Sequence, residues 1–312
     1  MATAPTPESR EAFIVCDRAD TAAALDFKLL VDAVKEAALQ YDSGDIVSPE
    51  RMVIPLVADG VMLSMPASAP DVAIHKLVNV QPSNQQRGLP TIHGQVSVYD
   101  SETGRPLCML DGPEVTGRRT AAVSILGIQT FLAAPPKSIL IFGTGTQAHY
   151  HLQALSSVYP ETQIWIRGIN LKDSEDFCVR GAQTHSKLKP CEPNFIPDVE
   201  VVITLTTSKV AFYEEQAVAG RLIIGVGAFK PEMAEIGKNT LLGSQVYIDD
   251  LAGGKHEAGD LIQANIDWSN VRSLASALQQ KPDLSKPIVL KSVGTAAWDL
   301  AACRVARKAL NC

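Results

Sequence analysis

The sequence predicts an α/β protein in which a doubly wound domain with a parallel sheet is joined to an α+β domain. Two textures along the chain predict it. Past residue 119, apolar runs recur at Ser138-Ile-Leu-Ile-Phe, Gln163-Ile-Trp-Ile-Arg, Val199-Glu-Val-Val-Ile, Leu222-Ile-Ile-Gly-Val and Gln245-Val-Tyr-Ile. Their apolar centres suit parallel strands covered on both faces. Before it, short runs at Met52-Val-Ile-Pro-Leu, Val61-Met-Leu-Ser-Met, Ile74-His-Lys-Leu-Val and Gln95-Val-Ser-Val-Tyr alternate with Gly, Pro, Asn and Asp. That texture reads as antiparallel hairpins.

The remaining elements follow in order. Residues 1–12 read as a loose tail. Leu25, Leu29, Leu30, Val34, Ala37 and Ala38 recur at helical spacing, which predicts one helix over 22–40. Asp100-Ser-Glu-Thr-Gly104 is a hairpin turn. Residues 116–132 are helical by pattern and end before Pro135-Pro136. From 119 to about 290 the chain reads as doubly wound, and an amphipathic helix closes it over 295–310.

Composition bounds the function. The 312 residues are 46% hydrophobic and 20% charged, as in ordinary globular chains. The net charge of -6, with no basic segment, argues against nucleic-acid binding. No apolar run is long enough to span a bilayer. The six cysteines show no CxxC spacing, so no zinc site or redox dithiol is indicated, and no other metal site is expected. Met1 to Glu11 is polar, without a secretory signal, so reduced thiols and a cytoplasmic location are expected.

The chemistry starts at Gly143-Thr144-Gly145-Thr146-Gln147-Ala148, between a buried-type strand and a helix. In that context Gly143 permits a tight turn, Gly145 admits a pyrophosphate to the backbone, and Ala148 lets helix and strand pack closely. The helix N-terminus, at Thr146 and Gln147, then faces phosphate with free N–H groups. This is the Rossmann dinucleotide signature. The end of the next strand selects the cofactor. An NAD site places a carboxylate there, whereas this chain has Arg167. A guanidinium suits a 2′-phosphate, so NADPH is expected, with NADH as the alternative. Thr120, near a helix start, is a candidate for a cofactor phosphate. Thr206 and Val226 close strand ends, where this fold places its cofactor.

Several segments carry a resemblance: His75-Lys-Leu-Val-Asn, Gly88-Leu-Pro-Thr, Leu110-Asp-Gly, Arg119-Thr-Ala-Ala-Val-Ser, the glycine turn, Ala258-Gly-Asp-Leu and Lys291-Ser-Val-Gly-Thr. In this order they resemble the ornithine cyclodeaminase/mu-crystallin family, from about residue 50 to 300. The resemblance implies a homodimer. It also implies a substrate and dimerisation domain of residues 1–118 plus 295–312, around a Rossmann domain of residues 119–294. In cyclodeaminases a catalytic Asp stands where this chain has Phe229, which transfers no proton. The wording Gly227-Ala-Phe-Lys-Pro-Glu-Met is similar to the cyclic-imine reductases of the family, which act on Δ1-pyrroline-2-carboxylate and Δ1-piperideine-2-carboxylate.

The expected activity is therefore NADPH-dependent reduction of a small cyclic imino acid. Alanine dehydrogenase-like amination and non-catalytic ligand carriage, as in mu-crystallin, are the alternatives. By resemblance Arg51 and Arg119 grip the substrate carboxylate, and Gly294 closes over the nicotinamide. Lys76 interrupts an apolar strand, where an unpaired charge is costly. The family resemblance also puts it in the substrate pocket. Near two arginines its pKa should fall, which makes it the candidate proton donor. His93 and His256 are weaker candidates. His75 should face away from Lys76, while Arg118, His149 and His151 need no chemistry. Asp249-Asp250 reads as a turn residue and a cap.

Overall fold

A computed structural model describes residues 13–312, so the expected tail at 1–12 lies outside the described residues. Strand β1 (Ile14–Val15) leads into α1 (Arg18–Ala24) and α2 (Phe27–Ser43). The single helix expected over 22–40 is thus two. Asp26 accepts from the backbone N–H of Lys28 and Leu29, and so starts a fresh helix where the first has ended. Gly44, at φ 85°, ends α2 in the left-handed conformation that glycine adopts without strain.

Strands β2 (Met52–Pro55), β3 (Val61–Ser68), β4 (Ala73–Val80), β5 (Ile92–Tyr99) and β6 (Pro106–Asp111) form a meander. The sheet order is β1-β6-β5-β4-β3-β2, antiparallel except where β1 joins β6. The strands read from sequence are all present; β6 is an addition. Asp100 holds its turn by accepting from the backbone and hydroxyl of Thr103. One sheet face is covered and carries Met65, Ile74, Lys76, Val78, Val96 and Val98. His75 pairs with Ser64 on the other face, as strand alternation requires.

Helix α3 (Gly112–Phe131) follows β6 directly, capped by Asp111. Its twenty residues run unbroken through position 118 and touch β5 of the first sheet and a strand of the second. The expected boundary at 118/119 falls within this helix, which touches both sheets.

The second sheet begins with β7 (Ser138–Phe142), α4 (Thr146–Val158), β8 (Gln163–Arg167), α5 (Leu171–Gly181) and β9 (Leu188–Pro190). It continues through β10 (Val201–Thr204), β11 (Leu222–Gly225), α6 (Lys238–Leu242), β12 (Gln245–Ile248), α7 (Leu251–Glu257) and α8 (Gly259–Gln263). The last elements are β13 (Arg272–Ser273), α9 (Leu274–Gln279), β14 (Ile288–Lys291) and α10 (Ala296–Leu310). Eight parallel strands take the order β13-β12-β14-β11-β10-β7-β8-β9. After β7 the chain winds one way to β8 and β9, then returns to β10 on the other side. That reversal opens a crevice at the carboxyl ends of β7 and β10. Helix α10 leaves this sheet and packs on α2, α3, β3 and β4.

Candidate functional site

The glycine turn stands at the reversal. Gly143 adopts φ 116°, and a Cβ there would lie 2.8 Å from the carbonyl oxygen of Leu205, after β10. Only glycine lets the two loops approach this closely. Gly145 caps α4 with no side-chain bond, and a Cβ on it would meet nothing within 4 Å. The first N–H groups of α4 thus face open space, a ready anion site. These residues fit a dinucleotide pyrophosphate. Gln147 Oε1 and Thr116 Oγ1 are buried with no partner among the described residues.

Other cofactor candidates stand along the same edge. Arg167 ends β8, lies over the Phe142 ring at 5.0 Å and donates to the carbonyl of Pro193. Val226 follows β11. Thr206 is engaged by Glu235, which accepts from its backbone N–H at 2.6 Å and its hydroxyl at 2.8 Å. The same carboxylate accepts from Thr204 Oγ1 and from the N–H groups of Gly227 and Ala228. Glu235 therefore ties the loops after β10 and β11 together. Burial lifts its pKa, opposed first by nearby Lys291. The Thr120 hydroxyl donates to Thr116 O at 2.7 Å within α3.

The cation cluster lies where α10 and α3 meet the first sheet. Lys76 Nζ stands 2.5 Å from Asp299 Oδ2, and Arg119 Nε is 3.1 Å from Asp299 Oδ1. All three side chains are buried. Both Nη atoms of Arg119 have no hydrogen-bond partner among the described residues. The pKa of Lys76 is lowered to about 8. Burial is the largest cause, Asp299 opposes it, and repulsion from Arg119 and Arg51 follows. The expected direction holds, but desolvation leads where the two arginines alone were expected to act.

Arg51 joins from the segment before β2. Its Nη2 donates to Glu257 Oε2 at 2.8 Å and to the carbonyls of Gly294 at 2.7 Å and Val293 at 3.3 Å. Gly294 adopts φ 78°, and a Cβ there would stand 2.6 Å from Arg119 Nη1. Its loop is shaped by Asp249, which accepts from Ser292 Oγ and from the backbone of Val293 and Gly294. Asp250 caps α7, as expected. A cleft of about 200 Å³ opens here between Arg51, Met65, His256, Glu257 and Gly294. A wider surface hollow of about 740 Å³, beside Arg304 and Asp71, holds none of the predicted residues.

Lys76, Arg119, Arg51 and Gly294 are thus brought together. His256 lies at the cleft rim, whereas exposed His93 pairs with Asn79 on the opposite sheet face from Lys76. Phe229 is half-buried in the loop after β11. Sequence reasoning missed Asp299, Glu257 and Glu235. For Asp299 a signal existed: a lone carboxylate among Ala296, Ala297, Trp298, Leu300 and Ala301.

Comparison with known proteins identifies the family. The model of the ornithine cyclodeaminase/mu-crystallin family matches residues 12–311. The chain is 53% identical to the Delta(1)-pyrroline-2-carboxylate/Delta(1)-piperideine-2-carboxylate reductase of Azospirillum brasilense, over 95% of this chain and 96% of that protein. It is 51% identical to Delta(1)-pyrroline-2-carboxylate reductase 2 of Burkholderia ambifaria, over 95% of each. Its fold matches the Thermococcus litoralis Delta(1)-pyrroline-2-carboxylate reductase, solved with NADH and L-proline, at a TM-score of 0.86 and 24% identity, covering 96% of this chain and 98% of that one. With a glycine turn at the sheet reversal, Lys76 and Arg119 paired on one buried carboxylate, Arg51 at the neighbouring cleft and a family match over residues 12–311, this chain belongs to the ornithine cyclodeaminase/mu-crystallin family.

Proposed function

We propose that the chain is an NAD(P)H-dependent reductase of cyclic ketimine carboxylates, converting Δ1-pyrroline-2-carboxylate to L-proline and Δ1-piperideine-2-carboxylate to L-pipecolate. One observation carries this reading: Arg51 lines a cleft whose Gly294 abuts Arg119, and Arg119 shares Asp299 with a Lys76 of lowered pKa, in a chain half identical to reductases named for these substrates. The substrate has a carboxylate beside a C=N bond. The unpaired Nη atoms of Arg119 suit that carboxylate, and Arg51 closes on it from the other side. Lys76 then gives its proton to the imine nitrogen and recovers one from solvent.

For the cofactor, Gly143, Gly145, Thr146 and Gln147 would hold the pyrophosphate, and Thr206, Val226 and Gly294 would border the nicotinamide. When bound, the dinucleotide supplies hydride to the imine carbon. Arg167, at the end of β8, supports NADPH over NADH. Phe229, with no proton to exchange, speaks against cyclodeamination. A homodimer is supported by exposed Met52, Val53, Ile54 and Ile92 on the first sheet, a concentration of apolar side chains that a partner subunit would cover. Six free cysteines support a reducing, cytoplasmic setting.

The test is stopped-flow NADPH oxidation with each imine and with 2-oxo acids plus ammonia. Oxidation with the imines and no added ammonia is expected. Turnover of neither ring size would sink the proposal; a strict need for free ammonia would instead mark an amino-acid dehydrogenase.

A further inference from the structure

Arg51 meets its ligand already paired. Its Nη2 holds Glu257 at 2.8 Å, and about 15% of each side chain stays exposed. A carboxylate that takes its place on Arg51 therefore arrives beside another carboxylate. Two such groups on one guanidinium disfavour the doubly ionised state. The surroundings of Glu257 decide which one yields. Glu50 faces it from the segment before β2, and Asp249 and Asp250 face it from the junction of β12 and α7. His256, on its own helix, lines the same cleft. Of these charges Arg51 alone favours the ionised form. Burial is the largest influence, and the pKa of Glu257 already stands at about 7 before any ligand arrives.

Resting on the reading that this cleft takes an anionic imino acid, we propose that Glu257 takes up a proton when substrate binds. The incoming carboxylate replaces Glu257 on Arg51, and the protonated carboxyl then donates to the substrate instead of repelling it. Glu257 is thereby a selectivity device for carboxylate ligands, and binding is coupled to pH.

Calorimetry of pyrrole-2-carboxylate, a flat unreactive mimic, titrated into the NADP⁺-loaded protein tests this. Repeating it in buffers of different ionisation enthalpy counts the protons. Near pH 8, uptake approaching one proton per site is expected, fading at acid pH where Glu257 is already protonated. Lys76 also titrates in this range, so two variants separate the sources. Glu257→Gln, which keeps an acceptor for Arg51, should bind the mimic with the uptake lost. Lys76→Arg, which stays cationic, should retain the uptake. Uptake that survives Glu257→Gln and vanishes in Lys76→Arg overturns the inference, as does binding to the unmodified protein with no uptake. If either variant fails to fold, the other still decides. Failure of the mimic to bind at all overturns the reading of the cleft as well, whereas binding without uptake overturns Glu257 alone.

Discussion

At position 299 a carboxylate touches both Lys76 and Arg119 inside a helix that is otherwise apolar on this side. Replacing it with Asn leaves two buried cations without a counter-charge. Loss of one partner of a buried pair costs about 3–5 kcal/mol. Asp299→Asn should therefore lower stability by that order in urea unfolding and depress the Lys76 pKa further below about 8. In the proposed role Lys76 acts in its protonated form, so activity should fall on the alkaline side, and in the variant that fall should begin at lower pH. An unshifted alkaline limb of kcat/KM would remove Lys76 from the donor role. Gly294→Ala tests the neighbouring contact. The φ of 78° and the 2.6 Å approach to Arg119 Nη1 forbid a methyl group without displacement of the guanidinium. A raised KM for the imine, at least tenfold or about 1.4 kcal/mol, is expected. Lys76 was legible because a charge in an apolar strand stands out. Asp299 carries the same signal but sits in a helix, where one carboxylate reads as a solvent face.

The interface of α3 and α4 contains a buried histidine with a purely structural setting. His151 Nε2 bonds Ser124 Oγ at 2.8 Å, and its Nδ1 meets the carbonyl of Gln147 at 2.8 Å. Burial lowers its pKa from 6.5 to about 4, the bond to Gln147 opposing. The unfolded chain thus binds the proton more readily between those values. Stability contributed here is complete above about pH 6.5 and is lost as pH falls toward 4, by about 3 kcal/mol in all. Unfolding measured across that window should show a steeper acid loss in the native chain than in His151→Gln; equal slopes would contradict it. The glycine turn belongs to the same scale. In Gly143→Ala the methyl group meets Leu205 O, the two crevice loops separate, and NADPH affinity should drop at least tenfold in fluorescence titration. The turn and its strands were legible because their requirements are local. Strand β14 was not, since a short run ending in Lys291 and preceded by Pro287 resembles a loop. The break between α1 and α2 was hidden because periodicity continues across Asp26 while the backbone does not.

For the whole molecule, the first sheet covers one face with α3 and α10 and leaves apolar residues exposed at its β2 edge, with Val53 at 55%. In the proposed dimer this surface is covered. Light scattering should show two copies, and Val53→Asp with Ile92→Asp should yield monomers that keep NADPH affinity. A native chain that runs as a monomer at micromolar concentration would refute the dimer. What the sequence by itself determined is local: strand type, the glycine turn, Arg167 in place of an acid and a lysine in an apolar run. Those features depend on neighbours a few residues apart. Only the tertiary structure decided the partners of the cations. Asp299 meets Lys76 and Arg119 across 223 and 180 positions, and Glu257 meets Arg51 across 206. Such pairings depend on how α10 returns to the first sheet and how α7 meets the segment before β2, and no local pattern records either.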